Sequence, residues 1–116
     1  MKVAIATGRF HGFTNDDFAY LQKANAAGEK LIIIVGYSDV QNQVVEHLKY
    51  CKMSEYVIPE LPNDTEGYYT YALARLVGYR ETSPNDNIEL VYVANPDEID
   101  ETLKLFCEQN GVSYIS

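Results

Sequence analysis

The sequence is poor in positive charge, in cysteine and in long apolar runs, and each shortage excludes a class of protein. Nine lysines and arginines stand against 17 aspartates and glutamates in 116 residues, which gives a formal net charge of −8. A chain of this charge lacks the basic surface with which proteins neutralise a nucleic-acid backbone. We therefore expect no nucleic acid among its partners.

Long apolar runs and export signals are also missing. The longest strongly apolar run is Leu31–Val35, whereas a membrane-spanning helix needs about 20 apolar residues. The N-terminus leads directly into a strand pattern and shows no signal-peptide organisation. We therefore expect no membrane partner and a cytoplasmic location.

Few residues are available for thiol or zinc chemistry. Cys51 and Cys107 fall in predicted helices and lack the close spacing of a redox motif, which indicates reduced thiols in a reducing compartment. The two histidines, His11 and His47, have no CxxC or HxxxH neighbour of the kind that zinc sites use. A zinc site is therefore not expected.

What the sequence does contain is a regular alternation of strand and helix patterns. The predicted strands are Lys2–Ala6, Leu31–Val35, Tyr56–Ile58, Ile88–Ala94 and Val112–Ile115. The predicted helices are Asp17–Ala27, Gln41–Lys52, Glu66 to about Tyr79, and Asp97–Gln109. Such alternation predicts a parallel sheet with right-handed crossovers. We expect residues 1–116 to form one α/β domain, a Rossmann-like three-layer sandwich with a five-stranded parallel sheet.

Three loops that follow predicted strands could line one crevice, because ligands of such folds bind beyond the carboxyl ends of the strands. These loops begin at Gly8, Gly36 and Asn95. The first contains a glycine turn that leads into a helix which Thr14 or Asn15 can cap. Free backbone N–H groups at a helix start attract anions, so this loop is the predicted phosphate side of the crevice.

Residues of the first loop also give the chain a family resemblance. The segments Gly8–Phe10 and Phe13–Asn15 resemble the start of the cytidylyltransferase-like nucleotidyltransferases, in which a G-x-F segment leads to an H-x-G-H or T-x-G-H motif at the first helix. Arg9 is similar to the nicotinamide-nucleotide adenylyltransferases, and Thr14 to the phosphopantetheine adenylyltransferases. Two later segments are similar to the small cytidylyltransferases, Met53–Pro59 and Glu98–Tyr114.

The resemblance implies a nucleotide of the ATP or CTP class as ligand. Enzymes of the family transfer a nucleoside monophosphate from a triphosphate to a phosphate-bearing acceptor and release pyrophosphate. The catalytic candidates are Thr14, Asp17 and His11. The nucleotide-binding candidates are Thr7, Gly8, Arg9, Phe10, Asp39 and Asp97, the last two as partners of a ribose hydroxyl.

The sequence departs from the family where the phosphates should be bound. Asp17 stands at the final histidine of the motif, and Asp16 at the glycine before it. An ionised carboxylate only accepts hydrogen bonds, so it repels a phosphate where an imidazole would donate. The loop of residues 37–43 carries no lysine or arginine where the small cytidylyltransferases are basic. We therefore expect transfer to be degenerate or lost and the chain to be a nucleotide-binding pseudoenzyme.

Several candidates also have a purely structural explanation. Asp16 and Asp17 could hold a Mg²⁺ ion that carries the phosphates, or could only stabilise the first turn of the helix. Arg9 could bind a phosphate or pair with one of these acids. His11 could replace the missing histidine or be an exposed loop residue, and Asp97 could be only a first-turn acid.

Tyrosine is abundant, and this abundance leaves a different function open. Three of the ten tyrosines cluster at the start of the third predicted helix: Tyr68, Tyr69 and Tyr71. Such a patch could stack on a base, form a homodimer or other protein interface, or pack into the core. Three hypotheses follow: a nucleotide-binding protein without transfer, an interaction module that keeps only the fold, and an active transferase with Mg²⁺ at the acidic pair.

Overall fold

Strands and helices alternate along the chain as the sequence pattern predicts. The computed structural model describes residues 1–10, 12–50, 54, 56–60, 69–82, 87–98 and 101–116. The strands are β1 Lys2–Gly8, β2 Lys30–Val35, β3 Tyr56–Pro59, β4 Glu89–Val93 and β5 Ser113–Ile115. The helices are α1 Asn15–Ala26, α2 Gln41–Tyr50, α3 Thr70–Thr82 and α4 Glu101–Gln109.

The five strands form one parallel sheet in the order β3-β2-β1-β4-β5. The chain moves from β1 to β2 and β3 in one direction and then crosses to β4 and β5 on the other side of β1. The order therefore reverses between β1 and β4, and open α/β sheets bind their ligands at such a reversal. This topology confirms the predicted five-stranded parallel sheet.

Apolar side chains cover both faces of the sheet and give the domain three layers. Along β1, Ala4 and Ala6 pack into the cluster that contains Leu21 of α1, while Ile5 packs into the cluster that contains Leu73 of α3. Leu21 and Leu73 are buried to 0% and 1% exposure, and full burial of such a side chain contributes about 1.5–3 kcal/mol. The period of two along β1 thus places one helical layer on each face.

The boundaries differ from the predictions in informative ways. β1 extends past the predicted end at Ala6 to Gly8, because Thr7 and Gly8 still pair with β2. The prediction that Asp97 begins a helix is wrong, because the Asp97 N–H donates to Asn95 Oδ1 at 3.0 Å and closes a turn. The predicted helix start at Glu66 lies outside the described residues.

Candidate functional site

A tyrosine hydroxyl separates β1 from β4 at the edge where the strand order reverses. The pairing of the two strands ends at Ile5 and Tyr92. Beyond that point the Thr7 N–H donates to Tyr20 Oη at 3.0 Å, and this hydroxyl donates to the Val93 carbonyl at 2.5 Å. Burial raises the pKa of Tyr20 well above its usual value, so the hydroxyl keeps its proton and remains a donor. The Tyr20 hydroxyl therefore replaces a direct hydrogen bond between β1 and β4 and leaves neither the Thr7 N–H nor the Val93 carbonyl without a partner.

Thr7 lies at this edge of the sheet, two residues beyond the last paired residue of β1 and β4. Its side chain is 1% exposed, and its hydroxyl lies 2.9 Å from the Tyr92 hydroxyl. Its carbonyl accepts a hydrogen bond of 2.8 Å from Nδ2 of Asn95, a side chain that is 3% exposed. The structure thus directs the polar atoms of this nucleotide-binding candidate to partners inside the protein.

The loop after β1 is held by close contacts at Gly8 and Phe10. A Cβ atom on Gly8 would lie 2.8 Å from Asn95 Nδ2 and 2.9 Å from Phe10 Cζ, so only glycine fits without a shift. Phe10 adopts a left-handed backbone conformation with φ of 53° and is 4% exposed. Its ring packs against those of Phe13 and Tyr20, with centroids 6.4 and 6.5 Å apart. Phe10 therefore anchors the loop to the core.

Glu98, a residue that the sequence reasoning did not select, binds the same loop from the segment that follows β4. Its Oε2 accepts a hydrogen bond of 3.1 Å from the backbone N–H of Arg9, and its Oε1 accepts one of 2.8 Å from the Tyr69 hydroxyl. Tyr69 is 2% exposed, and burial, reinforced by the Glu98 charge, raises its pKa above the usual tyrosine value. In the sequence, Glu98 falls in the predicted helix Asp97–Gln109, and its only signal was its position next to the candidate Asp97.

Asp17 occupies the start of α1 in a reciprocal cap. The Thr14 N–H donates to Asp17 Oδ2 at 2.9 Å, and the Asp17 N–H donates to Thr14 Oγ1 at 3.2 Å. Thr14, one of the two predicted caps, is thus the residue that caps the helix. This geometry supports the structural explanation of Asp17, and a catalytic role for Thr14 or Asp17 stays a prediction.

Two adjoining cavities lie at this edge of the sheet. The smaller has a volume of about 270 Å³ and is lined by Arg9, Phe10, Thr14, Asp17, Asn95, Asp97 and Glu98. The larger, of about 410 Å³, shares Asp17, Asn95 and Asp97 with it and extends past Asp16 and Lys23. The structure therefore brings together candidates from two of the three predicted loops. We call the smaller cavity the β1–β4 crevice.

Other candidates lie elsewhere. Asp39 is exposed in the loop after β2 and lines neither of these two cavities. His11 and Tyr68 lie outside the described residues. Of the remaining tyrosines at the start of α3, Tyr69 is buried and Tyr71 is 54% exposed. The predicted tyrosine patch is therefore divided between the core and the surface.

The acidic pair does not form a larger carboxylate cluster in the part of the chain that the structure describes. There, no three histidine, cysteine, aspartate or glutamate side chains are grouped as a metal ion would require. One carboxylate oxygen of Asp17 already accepts the Thr14 N–H. Mg²⁺ bound by Asp16 and Asp17 stays a prediction. No described helix combines the length and apolarity needed to cross a membrane.

Comparison with known proteins locates the fold. No family model and no curated protein sequence matches the chain. Among solved structures, the lipopolysaccharide core biosynthesis protein from Thermoplasma volcanium GSS1 matches 100% of this chain over 96% of its own length, with a TM-score of 0.63. The two sequences are 16% identical, so this likeness shows a shared fold and supports the Rossmann-like architecture.

Proposed function

We propose that this chain is a nucleotide-binding protein with a nucleotidyltransferase-like architecture, in which transfer of a nucleoside monophosphate is degenerate or lost. The observation that carries the proposal is the β1–β4 crevice, which lies where the strand order reverses and where open α/β sheets bind ligands. The resemblance of Gly8–Phe10 and Phe13–Asn15 to the family motif favours a nucleotide as that ligand. The fold likeness to a biosynthesis protein agrees with this assignment.

The β1–β4 crevice offers distinct groups for the sugar and for the base of a nucleotide. Asp97 is exposed, and its backbone N–H bonds to Asn95 Oδ1, so we expect its carboxylate to bind ribose hydroxyls. Arg9 brings positive charge and a planar guanidinium, which can stack on a base as well as bind an anion. These two residues are the proposed ligand contacts.

The charge of the crevice supports the loss of transfer. Asp17, Asp97 and Glu98 line it together with the single cation Arg9. Transfer from a triphosphate depends on donors and cations that neutralise charge as it develops on the phosphates. Three carboxylates oppose that charge, and Asp17 stands where the family supplies an imidazole. Binding is therefore expected to persist without efficient turnover.

A thermal-shift panel tests binding, and a pyrophosphate-release assay tests transfer. The panel contains ATP, CTP, GTP, UTP, nicotinamide mononucleotide, adenosine and cytidine, each with and without Mg²⁺. A ligand at a hundredfold excess over its Kd adds roughly 2.7 kcal/mol of stability, which raises the Tm of a domain near this size by about ten degrees.

We expect a selective shift that Asp97→Ala removes. The matched control Glu108→Gln lies on the exposed side of α4 and should retain the shift. The absence of a shift with every nucleoside and nucleotide would overturn the proposal. Sustained pyrophosphate release with any phosphate-bearing acceptor would instead overturn the loss of transfer.

A second candidate function, a protein-interaction module, is favoured by the outer surface of α3. Tyr71 and Tyr79 are 54% and 61% exposed, and the exposed Arg75 lies between them. Residues four apart on a helix share a face, and tyrosine and arginine are enriched at protein interfaces. Sedimentation equilibrium tests this candidate: a self-association that Tyr71→Ser and Tyr79→Ser abolish together would establish it, and a monomer at every concentration would exclude a homodimer.

A further inference from the structure

We propose that Glu98 is the specificity-determining residue of the β1–β4 crevice: its carboxylate occupies the backbone donor that a phosphate would use, so the crevice accepts a nucleoside and rejects its polyphosphate. This inference rests on the proposed nucleotide-binding function and narrows it to the nucleoside end of the ligand. It concerns a residue that begins the family-like segment Glu98–Tyr114 but was not among the candidate site residues.

The first step of the argument is the position of the carboxylate. In α/β nucleotide sites the phosphate is bound by backbone N–H groups of the glycine-bearing loop after the first strand. In this chain the Arg9 N–H of that loop donates to Glu98 Oε2 at 3.1 Å. A phosphate oxygen could reach this donor only by displacing an internal hydrogen bond that is itself charge-assisted.

The second step is that Glu98 is held from its other side. Its Oε1 accepts the hydroxyl of Tyr69 at 2.8 Å, and Tyr69 is 2% exposed. Gly36 makes room for this contact, because a Cβ atom there would lie 2.8 Å from the Tyr69 hydroxyl oxygen. If Glu98 moved away, the buried Tyr69 hydroxyl would lose this hydrogen bond, and the loss of a buried hydrogen bond is costly. The Glu98 carboxylate is therefore held in position by hydrogen bonds to both of its oxygens.

The third step is that a second backbone donor beside the crevice is also bound to an acid of the chain. At the start of α1 the Thr14 N–H donates to Asp17 Oδ2 at 2.9 Å. The Arg9 N–H and the Thr14 N–H, two backbone donors at this edge of the sheet, are thus each bound to a carboxylate of the protein. A polyphosphate would add negative charge directly beside them, whereas an uncharged nucleoside would not.

Calorimetric titration tests the inference with adenosine, cytidine, ATP, CTP and inorganic pyrophosphate as probes. The proteins are the wild type, Glu98→Gln, Tyr69→Phe and the control Glu108→Gln, which removes the same unit of charge from the exposed side of α4. Glu98→Gln keeps an acceptor for the Arg9 N–H but loses the charge. Tyr69→Phe keeps the buried ring and releases Glu98 from one of its two donors.

For the wild type we expect a nucleoside Kd at least tenfold below that of its triphosphate, and no binding of pyrophosphate. Glu98→Gln should reduce the ratio of the triphosphate Kd to the nucleoside Kd tenfold or more. Tyr69→Phe should reduce this ratio by a smaller factor, and Glu108→Gln should preserve it. If Glu98 had a purely structural role, Glu98→Gln would weaken the binding of nucleoside and of triphosphate equally and leave this ratio unchanged.

Two results would overturn the inference, and they can be told apart. If the wild type binds triphosphate as tightly as nucleoside, or if neither Glu98→Gln nor Tyr69→Phe changes the ratio, Glu98 does not select the ligand although the nucleotide site exists. If no probe binds to any of the four proteins, the proposed nucleotide-binding function fails together with the inference.

Discussion

Two strand-to-helix junctions at the same edge of the sheet each bind a backbone N–H to a carboxylate, but the two residues involved are near in the chain at one junction and far apart at the other. At the junction of β1 and α1, Asp17 accepts the Thr14 N–H, three residues away. At the junction that follows β4, Glu98 accepts the Arg9 N–H, 89 residues away. The chemistry is identical, a carboxylate on a backbone donor, but the first contact is local and the second exists only once the sheet has formed.

The two junctions also differ in burial, and this difference sets their contributions to stability. The cap formed by Thr14 and Asp17 lies at the surface, where water can replace either partner. The junction after β4 depends on Asn95, which is 3% exposed and binds the buried carbonyl of Thr7. A buried group that loses its partner incurs its full desolvation cost, so the junction after β4 should be the more sensitive.

Asn95→Ala should have the largest effect on the free energy of unfolding. The substitution leaves the Thr7 carbonyl and the Asp97 N–H without their partner, which should lower stability by about 2–3 kcal/mol in urea denaturation. Asn42→Ala, on the exposed side of α2, should change it by less than about 0.5 kcal/mol. A loss in Asn95→Ala no greater than that of a surface cap would contradict the comparison.

Gly8→Ala should destabilise the point where the two junctions touch. Its new methyl group would lie 2.8 Å from Asn95 Nδ2 and 2.9 Å from the Phe10 ring, and overpacking of this kind costs roughly 1–3 kcal/mol. Gly78→Ala is the matched control, because nothing lies within 4 Å of the added atom in the exposed part of α3. That change should stabilise the protein by roughly 0.5–1 kcal/mol. Equal Tm shifts in the two variants would refute the tight contact.

Asp17→Ala should have a smaller effect, limited to α1. It removes one half of the reciprocal cap and should lower the free energy of unfolding by about 1 kcal/mol. Asp16→Ala, which removes an acid of the same helical turn outside the cap, should lower it by a few tenths of a kcal/mol. Denaturation curves distinguish the two, and a cost for Asp16 as large as that for Asp17 would show that charge rather than capping matters.

The smallest expected effect is a dependence on alkaline pH. Tyr69 donates to Glu98, and because its folded pKa is raised, its contribution is complete below the ordinary tyrosine pKa of about 10 and falls as pH rises above it. The cap at α1 has only backbone donors and should show no such fall. Burial also raises the pKa of Tyr20 and of Tyr92 above the usual tyrosine value, and it raises the pKa of Cys107 to about 11.

Urea denaturation from about pH 8 to pH 11 measures this effect. Tyr69→Phe should give a shallower alkaline loss of stability than the wild type. Tyr50→Phe, whose parent side chain is 86% exposed, should leave the slope unchanged. A wild-type slope retained in Tyr69→Phe would show that the contact with Glu98 is not sensitive to the proton of the phenol.

Local sequence signals predicted a large part of the fold. The buried run Leu31–Val35 and the periodic patterns between the predicted strands gave the five parallel strands and both helical layers. The cap at Thr14 was also recognisable, because capping depends on residues three positions apart. The helix start at Asp97 was predicted wrongly, because the Asn95 side chain closes a turn that competes with the helix.

The candidate site was predictable in place but not in detail. The rule that ligands bind at the carboxyl ends of parallel strands brought Arg9 and Asp97 to one crevice, as the structure shows. The roles of Tyr20 and Glu98 were not visible, because each hydrogen-bonds to a residue that is remote in the chain. Thr7, selected as a ligand contact from its position, instead bonds to Tyr92 and Asn95 inside the protein.

The sequence by itself determined the elements, the parallel sheet and the capped start of α1, because these depend on periodicity and on contacts between near neighbours. Tertiary structure alone decided that Tyr20 separates β1 from β4 and that Glu98 occupies the Arg9 donor. Such contacts arise from strand order, which brings together residues 73 to 89 positions apart. The local sequence around a carboxylate or a hydroxyl does not indicate its distant hydrogen-bond partner, because the two residues become neighbours only when the sheet forms.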